Sequence, residues 1–445
     1  MVEFLARNKV ILIVFAIWYF IGSISIPLFF AIGGASLLML WRKGLYFEIL
    51  LGFLFILILS DNLSYKTDFA KIFKNAYIVL LVLIAVLDRE KFPSRNRLLV
   101  YFIPFLVVAI IALAFSPVIF TGAQKTLSYG LLLFAVPQFY IKSLVDNGPI
   151  IVKDTIYLGV ALIILGYFLQ FVDSGIAFSH QGRFRAIFGN PNGLGIFAAL
   201  MFALTLLSRE YFKALFSKAD LRWILITLIV SMVLCGSRTA VLASVMFWVM
   251  TRFYRLSPFL GFLFFLTLAF AAELVTRNLV EIVIALGLDQ FFRIETLGDG
   301  SGRYIAWNFA WEVIQDHFWL GRGFAFDEWI MAKNADILSD LGHQGGVHNT
   351  YLIIWLNTGL IGLVIFLRAL ITVFIKASKN VNMAFPILWM VMFTILLEPW
   401  LAASLNPFTI LFVIMITIMI DPVFQPYYRG ELTSFQTPDE EKVLV

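Results

Sequence analysis

One cysteine in 445 residues, Cys235 within an apolar run, excludes an internal disulfide and a cysteine metal cluster and suits packing. Charge is also scarce. Only 14% of residues are charged while 61% are apolar, more apolar surface than a soluble interior could hide. Uninterrupted runs of about 20 apolar residues, the length that crosses a bilayer as a helix, are few, so flanking charges and turns must mark many of the boundaries. The sequence has no Asp-x-Asp or His-Glu-x-x-His pattern, so a divalent metal is not indicated. It has no phosphate-binding Walker loop and no Gly-x-Ser-x-Gly elbow, which removes support for ATP-driven transport and for a serine hydrolase of that type.

What is present reads as an all-α, polytopic membrane protein. Strong apolar spans run from 46–60 through 98–115, 155–172, 193–207, 222–236, 240–251, 257–273, 349–367 and 384–400 to 407–420. Weaker ones lie near 10–22, 24–40, 76–87 and 127–141. Together they predict about 14 crossings, or 12 if the first pair is a re-entrant or interfacial hairpin. Arg7 and Lys9 precede an apolar stretch without a cleavage signal, so the N terminus is expected to be retained. Placing it in the cytoplasm collects about two thirds of the 33 basic residues on that side, from Arg42 and Lys43 to Arg368, Lys376 and Lys379. The formal charge of +5 then reflects basic loops beside anionic lipid and gives no reason to expect nucleic acid.

The expected organisation is N-terminal transmembrane helices over 1–271, an extracytoplasmic loop over 272–347, C-terminal transmembrane helices over 348–420 and a cytoplasmic tail over 421–445. Within the loop, Ile305, Phe309, Val313 and Ile314 recur at helical spacing with Trp307 and Trp311. The pattern fits an amphipathic helix at the membrane surface or one packed on the bundle.

All four histidines, His180, His317, His343 and His348, fall on the outer side. His348 closes the loop and opens an apolar helix, where an imidazole tuned near neutrality suits a general base; an interfacial histidine bonded to a loop is the alternative. Arg238 lies in the short turn Cys235-Gly236-Ser237-Arg238-Thr239-Ala240, and its fork suits phosphate oxygens, although snorkelling to headgroups accounts for it too. Arg303 follows Gly300-Ser301-Gly302, whose backbone donors suit an anion. Arg183, Arg185 and Arg322 add positive charge outside, where singly a solvated loop cation is the simpler reading. Glu398, beside Pro399, fits either a proton-relay acid or a satisfied helix-end carboxylate.

These residues occur in an order that resembles the O-antigen ligase and polymerase superfamily. The pieces are Gly189-Asn190-Pro191-Asn192-Gly193, Ser237-Arg238-Thr239, Ser301-Gly302-Arg303-Tyr304-Ile305-Ala306-Trp307, Gly321-Arg322-Gly323, and His348-Asn349-Thr350-Tyr351-Leu352 with Gly359-Leu360-Ile361-Gly362. The resemblance covers residues 180–370 and implies a GT-C-like, metal-independent glycosyltransferase of the bacterial inner (plasma) membrane, without cofactor, its site facing the periplasm or exterior. Its donor would be an undecaprenyl-pyrophosphate-linked oligosaccharide and its acceptor a glycan or glycolipid. On that analogy Arg238 and Arg303 hold the donor pyrophosphate, His348 takes the acceptor proton, and Arg183, Arg185, Arg322, Asn349 and Tyr351 are further substrate-binding candidates. The family includes polymerases, ligases that act on lipid A core, and protein glycosylating enzymes; about 14 crossings leans towards a polymerase. A transporter of lipid-linked oligosaccharide and a non-enzymatic scaffold are the competing classes. A transporter predicts polar residues lining a mid-membrane path, and a scaffold needs no cluster of arginines and histidine.

Overall fold

A computed structural model describes residues 2–93, 96–172, 174–179, 182–277 and 303–432. The described residues form helices joined by short turns and no strand, with one isolated bridge between Phe178 and Phe184. Numbering helices of eight residues or more, the first half holds α1 (Lys9–Ile24), α2 (Ile26–Arg42), α3 (Tyr46–Asp61), α4 (Asp68–Leu87), α5 (Arg97–Ala112), α6 (Ile119–Asn147) and α7 (Ile150–Leu169). Then come α8 (Pro191–Tyr211), α9 (Lys218–Leu234), α10 (Arg238–Leu256), α11 (Pro258–Arg277), α12 (Arg303–Asp316) and α13 (Phe326–Lys333). The chain closes with α14 (Thr350–Ser378), α15 (Ala384–Leu397) and α16 (Pro407–Ile420).

Six helical segments among the described residues are long and apolar enough to cross a membrane alone: Tyr65–Leu87, Arg97–Phe115, Ile119–Asn147, Ile150–Leu169, Pro191–Tyr211 and Thr350–Ser378. A seventh arises if α16 and the segment Pro422–Arg429, bent from it by 65°, form one span. The remaining apolar helices, α1, α2 and α15 among them, are shorter. A helix of 16 residues such as α3 extends about 24 Å, less than the roughly 30 Å of hydrocarbon. A figure of 12 to 14 crossings therefore requires several short helices to cross with the support of their neighbours.

Burial separates an inner set from an outer one. In α3 and α16 nearly every side chain is buried, and α8 is buried almost as completely, as befits helices that are apolar all round. On outer helices the apolar residues point away from the bundle: Ile13 and Phe20 on α1, Val100, Ile103 and Val107 on α5, Ile226 and Val233 on α9. Such faces are stable only against lipid or another apolar surface.

Several polar contacts of basic residues lie at the end away from the site. Arg7 bonds Asp154, Lys153 lies 3.1 Å from Asp220, Arg255 pairs with Glu210 and Lys376 with the Tyr101 hydroxyl. The opposite end holds the termini of α3, α6, α8, α10 and α14 that build the site.

Two glycine motifs prove to be joints of this end. Gly359 interrupts α14 with φ +70°, and a Cβ there would stand 2.2 Å from the Trp319 carbonyl oxygen. At the break, the backbone N–H groups of Arg322 and Gly323 donate to the carbonyls of Leu356 and Asn357 at 3.1 and 2.7 Å, while Leu360 N–H donates to Phe318. Gly321 has no room for a side chain either, since a Cβ would come 2.4 Å from the backbone of Asn357. The 318–323 segment thereby satisfies backbone groups that the break leaves open.

The α12 helix packs on α14, the bundle-packed alternative of the two sequence readings. Its buried face is Ala306, Ala310 and Ile314 rather than the larger residues, and small side chains allow close approach. Trp307 donates from its indole to the Val347 carbonyl at 3.0 Å, and Trp311 meets Trp355 edge-on at 5.4 Å.

Candidate active site

His348 stands immediately before the cap of α14. Asn349 caps the helix by accepting from the N–H groups of Tyr351 and Leu352, and Thr350 hydroxyl donates to the Glu398 carbonyl at 2.9 Å. His348 itself has φ +51°, a left-handed conformation rare outside glycine. Strain of this kind is retained where surrounding structure holds it, often at functional sites. The ring is largely enclosed, with Nδ1 buried and lacking a hydrogen-bond partner among the described residues. Burial, then the Arg303 charge and His343, push its pKa from 6.5 down to about 4. The positive end of α14 acts in the same direction. His348 is therefore a neutral imidazole at physiological pH, able to accept a proton.

Beside it lies a chain of polar contacts drawn from four distant segments. Arg303, at the start of α12, donates to Glu398 Oε1 at 2.7 Å, and Asn192, in the first turn of α8, donates to the same oxygen at 2.9 Å. Arg183 reaches Asn192 Oδ1 at 2.9 Å and the Cys235 carbonyl at 2.9 Å. Burial raises the Glu398 pKa, with Arg303, Asn192 and Arg183 pulling against it. Arg238 begins α10 three residues past that carbonyl and is exposed. Ser237 caps α10, and its neighbour across the interface must be Gly195, where a Cβ would come 2.6 Å from Ser237 Cβ. That close approach sets the first turns of α8 and α10 side by side.

The Gly189-Asn190-Pro191-Asn192-Gly193 stretch serves the same end. Asn190 accepts from Gly193 N–H at 2.7 Å, Pro191 opens α8, and Gly189 donates to Asp61 Oδ2 at 2.9 Å. Its function is to seat the helix on the end of α3 and present Asn192 to Glu398.

An open cavity of ≈ 510 Å³ begins at His348 and Glu398 and extends towards Lys74, Gln124, Lys125 and Glu328. Lys125 lies 2.5 Å from Glu328, Lys74 donates to the Leu405 carbonyl at 3.2 Å, and Asn357 donates to Asp327 at 2.9 Å. Burial, followed by repulsion from Glu328, pushes the Asp327 pKa up to about 6. Amide, hydroxyl, carboxylate and ammonium groups in one recess suit a polyhydroxylated ligand. Among the described residues, no three His, Cys, Asp or Glu side chains come together as a metal site.

The structure thus brings His348, Arg303 and Arg183 together and sets Arg238 in the adjoining turn. It gives other candidates structural partners. Arg185 spends its guanidinium on the carbonyls of Ile176, Gly189 and Gly175, at 3.0, 2.9 and 2.8 Å, and so staples the loop. Arg322 lies over the Phe326 ring at 5.9 Å. Asn349 is the helix cap, and Tyr351 hydroxyl donates to the Met392 carbonyl at 3.0 Å, between helices. His343 bonds the Gly346 carbonyl at 3.1 Å, and His317 stands edge-on to Phe326. His180, Ser301 and the acids Glu281, Asp289, Glu295 and Asp299 lie outside the described residues. Sequence reasoning missed Asn192, Lys74, Gln124 and Lys125 as site residues, and left Glu398 undecided.

The family described as O-antigen ligase matches residues 223–367, a stretch that holds Arg238, Arg303 and His348. No curated protein matches the chain. The matched segment begins in α9 and runs through the break at Gly359, so it spans both the catalytic candidates and the joint that seats the 318–323 segment. Residues 223–367, about a third of the chain, thus carry the likeness to the O-antigen ligase and polymerase superfamily.

Proposed function

We propose that this protein transfers a glycan en bloc from undecaprenyl pyrophosphate to a sugar hydroxyl, as a polysaccharide polymerase with its site facing the periplasm or exterior. The observation that carries this reading is a neutral, cavity-lining His348 beside Arg303, which with Arg183 flanks the Glu398 carboxylate. Arg183 and Arg303 beside Glu398, with Arg238 in the adjoining turn, give a formal balance of +2, which matches a doubly esterified pyrophosphate.

In the reaction, the acceptor hydroxyl oxygen attacks the anomeric carbon of the donor and its proton passes to the His348 imidazole. The bond from the anomeric carbon to the pyrophosphate oxygen breaks as the new glycosidic bond forms, and the leaving pyrophosphate takes the electron pair. Direct displacement inverts the anomeric centre. Arg303 and Arg238 offset charge growing on the leaving oxygen, a role worth about 10²–10³ in rate for one well-placed donor. Arg303 must first exchange Glu398 for phosphate. The recess towards Gln124 and Lys125 takes the acceptor saccharide on the His348 side.

The family description favours one second reading, a ligase that moves the finished chain to lipid A core. Deleting the gene in its own host and resolving extracted glycolipids on a gel separates the two. Glycolipids held at one repeat mean a polymerase, whereas long chains retained on undecaprenyl pyrophosphate mean a ligase. A profile unchanged by deletion removes both.

A further inference from the structure

The end of the bundle opposite the site carries a second cavity, of ≈ 330 Å³, between α8, α10 and the segment leading into α15. Its lining includes Arg209, Lys213, Arg252 and Arg255 against the single acid Glu210, a balance of +3. Arg255 pairs with Glu210, and the Arg252 guanidinium lies over the Trp248 ring at 5.4 Å. Arg209 and Lys213 make no ion pair among the described residues. The C-terminal ends of α8 and α10 offset part of this charge, about half an elementary charge each, which leaves about +2 in the recess after Glu210 is counted.

The second observation is where the recess opens. On α10, Val241, Leu242, Val245 and Trp248 are exposed by 38%, 49%, 51% and 48%, an apolar stripe at helical spacing. Continued by one turn, the stripe runs into Arg252 and then Arg255. The apolar part covers about 10 Å of helix, ends at an interfacial tryptophan and passes directly to cations. An acyl chain along the stripe places its headgroup phosphate among these side chains.

We propose that this cavity is a binding site for an anionic phospholipid of the leaflet that the basic end faces, with the phosphate held by Arg209, Lys213 and Arg252 and an acyl chain lying along α10. The inference is independent of the reaction at the other end. Basic pockets between membrane helices bind such headgroups, each cation contributing about fivefold in affinity.

The test uses the purified full chain in nonionic detergent, titrated with phosphatidylglycerol or phosphatidylcholine and followed by native mass spectrometry. The wild type is expected to retain phosphatidylglycerol in preference. Combined Arg209→Gln, Lys213→Gln and Arg252→Gln should reduce that preference by at least tenfold, with the melting temperature in phosphatidylcholine unchanged. Should the triple variant not fold, Lys213→Gln alone should cost about fivefold. An equal loss on Lys218→Gln with Arg222→Gln, at the same end but outside the cavity, would overturn the proposal in favour of diffuse attraction to basic loops. Undiminished preference in the triple variant would overturn it too. Displacement of the lipid by millimolar inorganic phosphate would overturn the lipid assignment and make the recess a site for a soluble phosphate.

Discussion

The depressed pKa of His348 makes a prediction that an ordinary surface histidine does not share. Burial, Arg303 and His343 hold the ring at about 4 in the free protein, against 6.5 for an unperturbed imidazole. The neutral base is the competent form, so competence persists as pH falls and is lost only as pH passes through the folded value. At pH 5 an imidazole of pKa 4 is about 90% neutral, whereas one of 6.5 is about 3% neutral, a thirtyfold difference. The pH dependence of kcat/KM reports the free enzyme, and the esterified pyrophosphate of the donor has no group titrating in this range. With purified protein and a lipid-linked oligosaccharide, kcat/KM at pH 5 should therefore stay within about twofold of its value at pH 7.5. Because the donor's pyrophosphate offsets the Arg303 charge, the acid limb of kcat, which reports the bound complex, should lie at higher pH than that of kcat/KM. An acid limb of kcat/KM near 6.5 would refute the reasoning, since it would show the base to be solvated rather than enclosed.

Arg303→Gln should lower kcat/KM by about 10²–10³ while raising the His348 pKa, since one cation beside the ring is removed; chemical shifts of labelled histidine check the second effect. Arg185→Gln should behave oppositely, lowering the thermal midpoint with little change in donor KM, because its three hydrogen bonds end on loop carbonyls, each worth about 1.5–3 kcal/mol before relaxation. Gly359→Ala places a methyl against the Trp319 carbonyl at a φ of +70° and should destabilise the outer end enough for limited proteolysis of the 318–323 segment to detect. Gln124→Ala and Lys125→Gln should raise KM for the acceptor and leave donor KM unchanged in two-substrate kinetics.

Much of the fold was legible because apolar runs and basic flanks are local signals. The span expected at 407–420 coincides with α16, and those at 193–207 and 240–251 lie inside α8 and α10. Local pattern could not show which apolar helices are central. The runs that became α3 and α5 are both strongly apolar, yet one is buried all round and the other exposes Val100, Ile103 and Val107. At the site, His348 stood out because a polar residue opening an apolar helix is conspicuous, and Arg303 because it follows the Gly300-Ser301-Gly302 run. Which of its two readings Glu398 would take was not legible, since its bond from Asn192 spans 206 residues of sequence. Arg185 and Arg322 were indistinguishable from Arg183 by sequence. Only the fold shows that Arg185 bonds carbonyls and Arg322 covers a phenyl ring, while Arg183 reaches the Asn192 that holds Glu398.

The central claim is a transfer chemistry carried by His348 and its arginines, and one measurement addresses it directly. Purified protein in lipid nanodiscs is given a defined oligosaccharide on undecaprenyl pyrophosphate, and both elongated product and released undecaprenyl pyrophosphate are quantified. Equal amounts of the two, lost together in His348→Ala and in Arg303→Gln while both variants keep the wild-type melting temperature, is the predicted result. Equal turnover by the wild type and both variants would contradict the account.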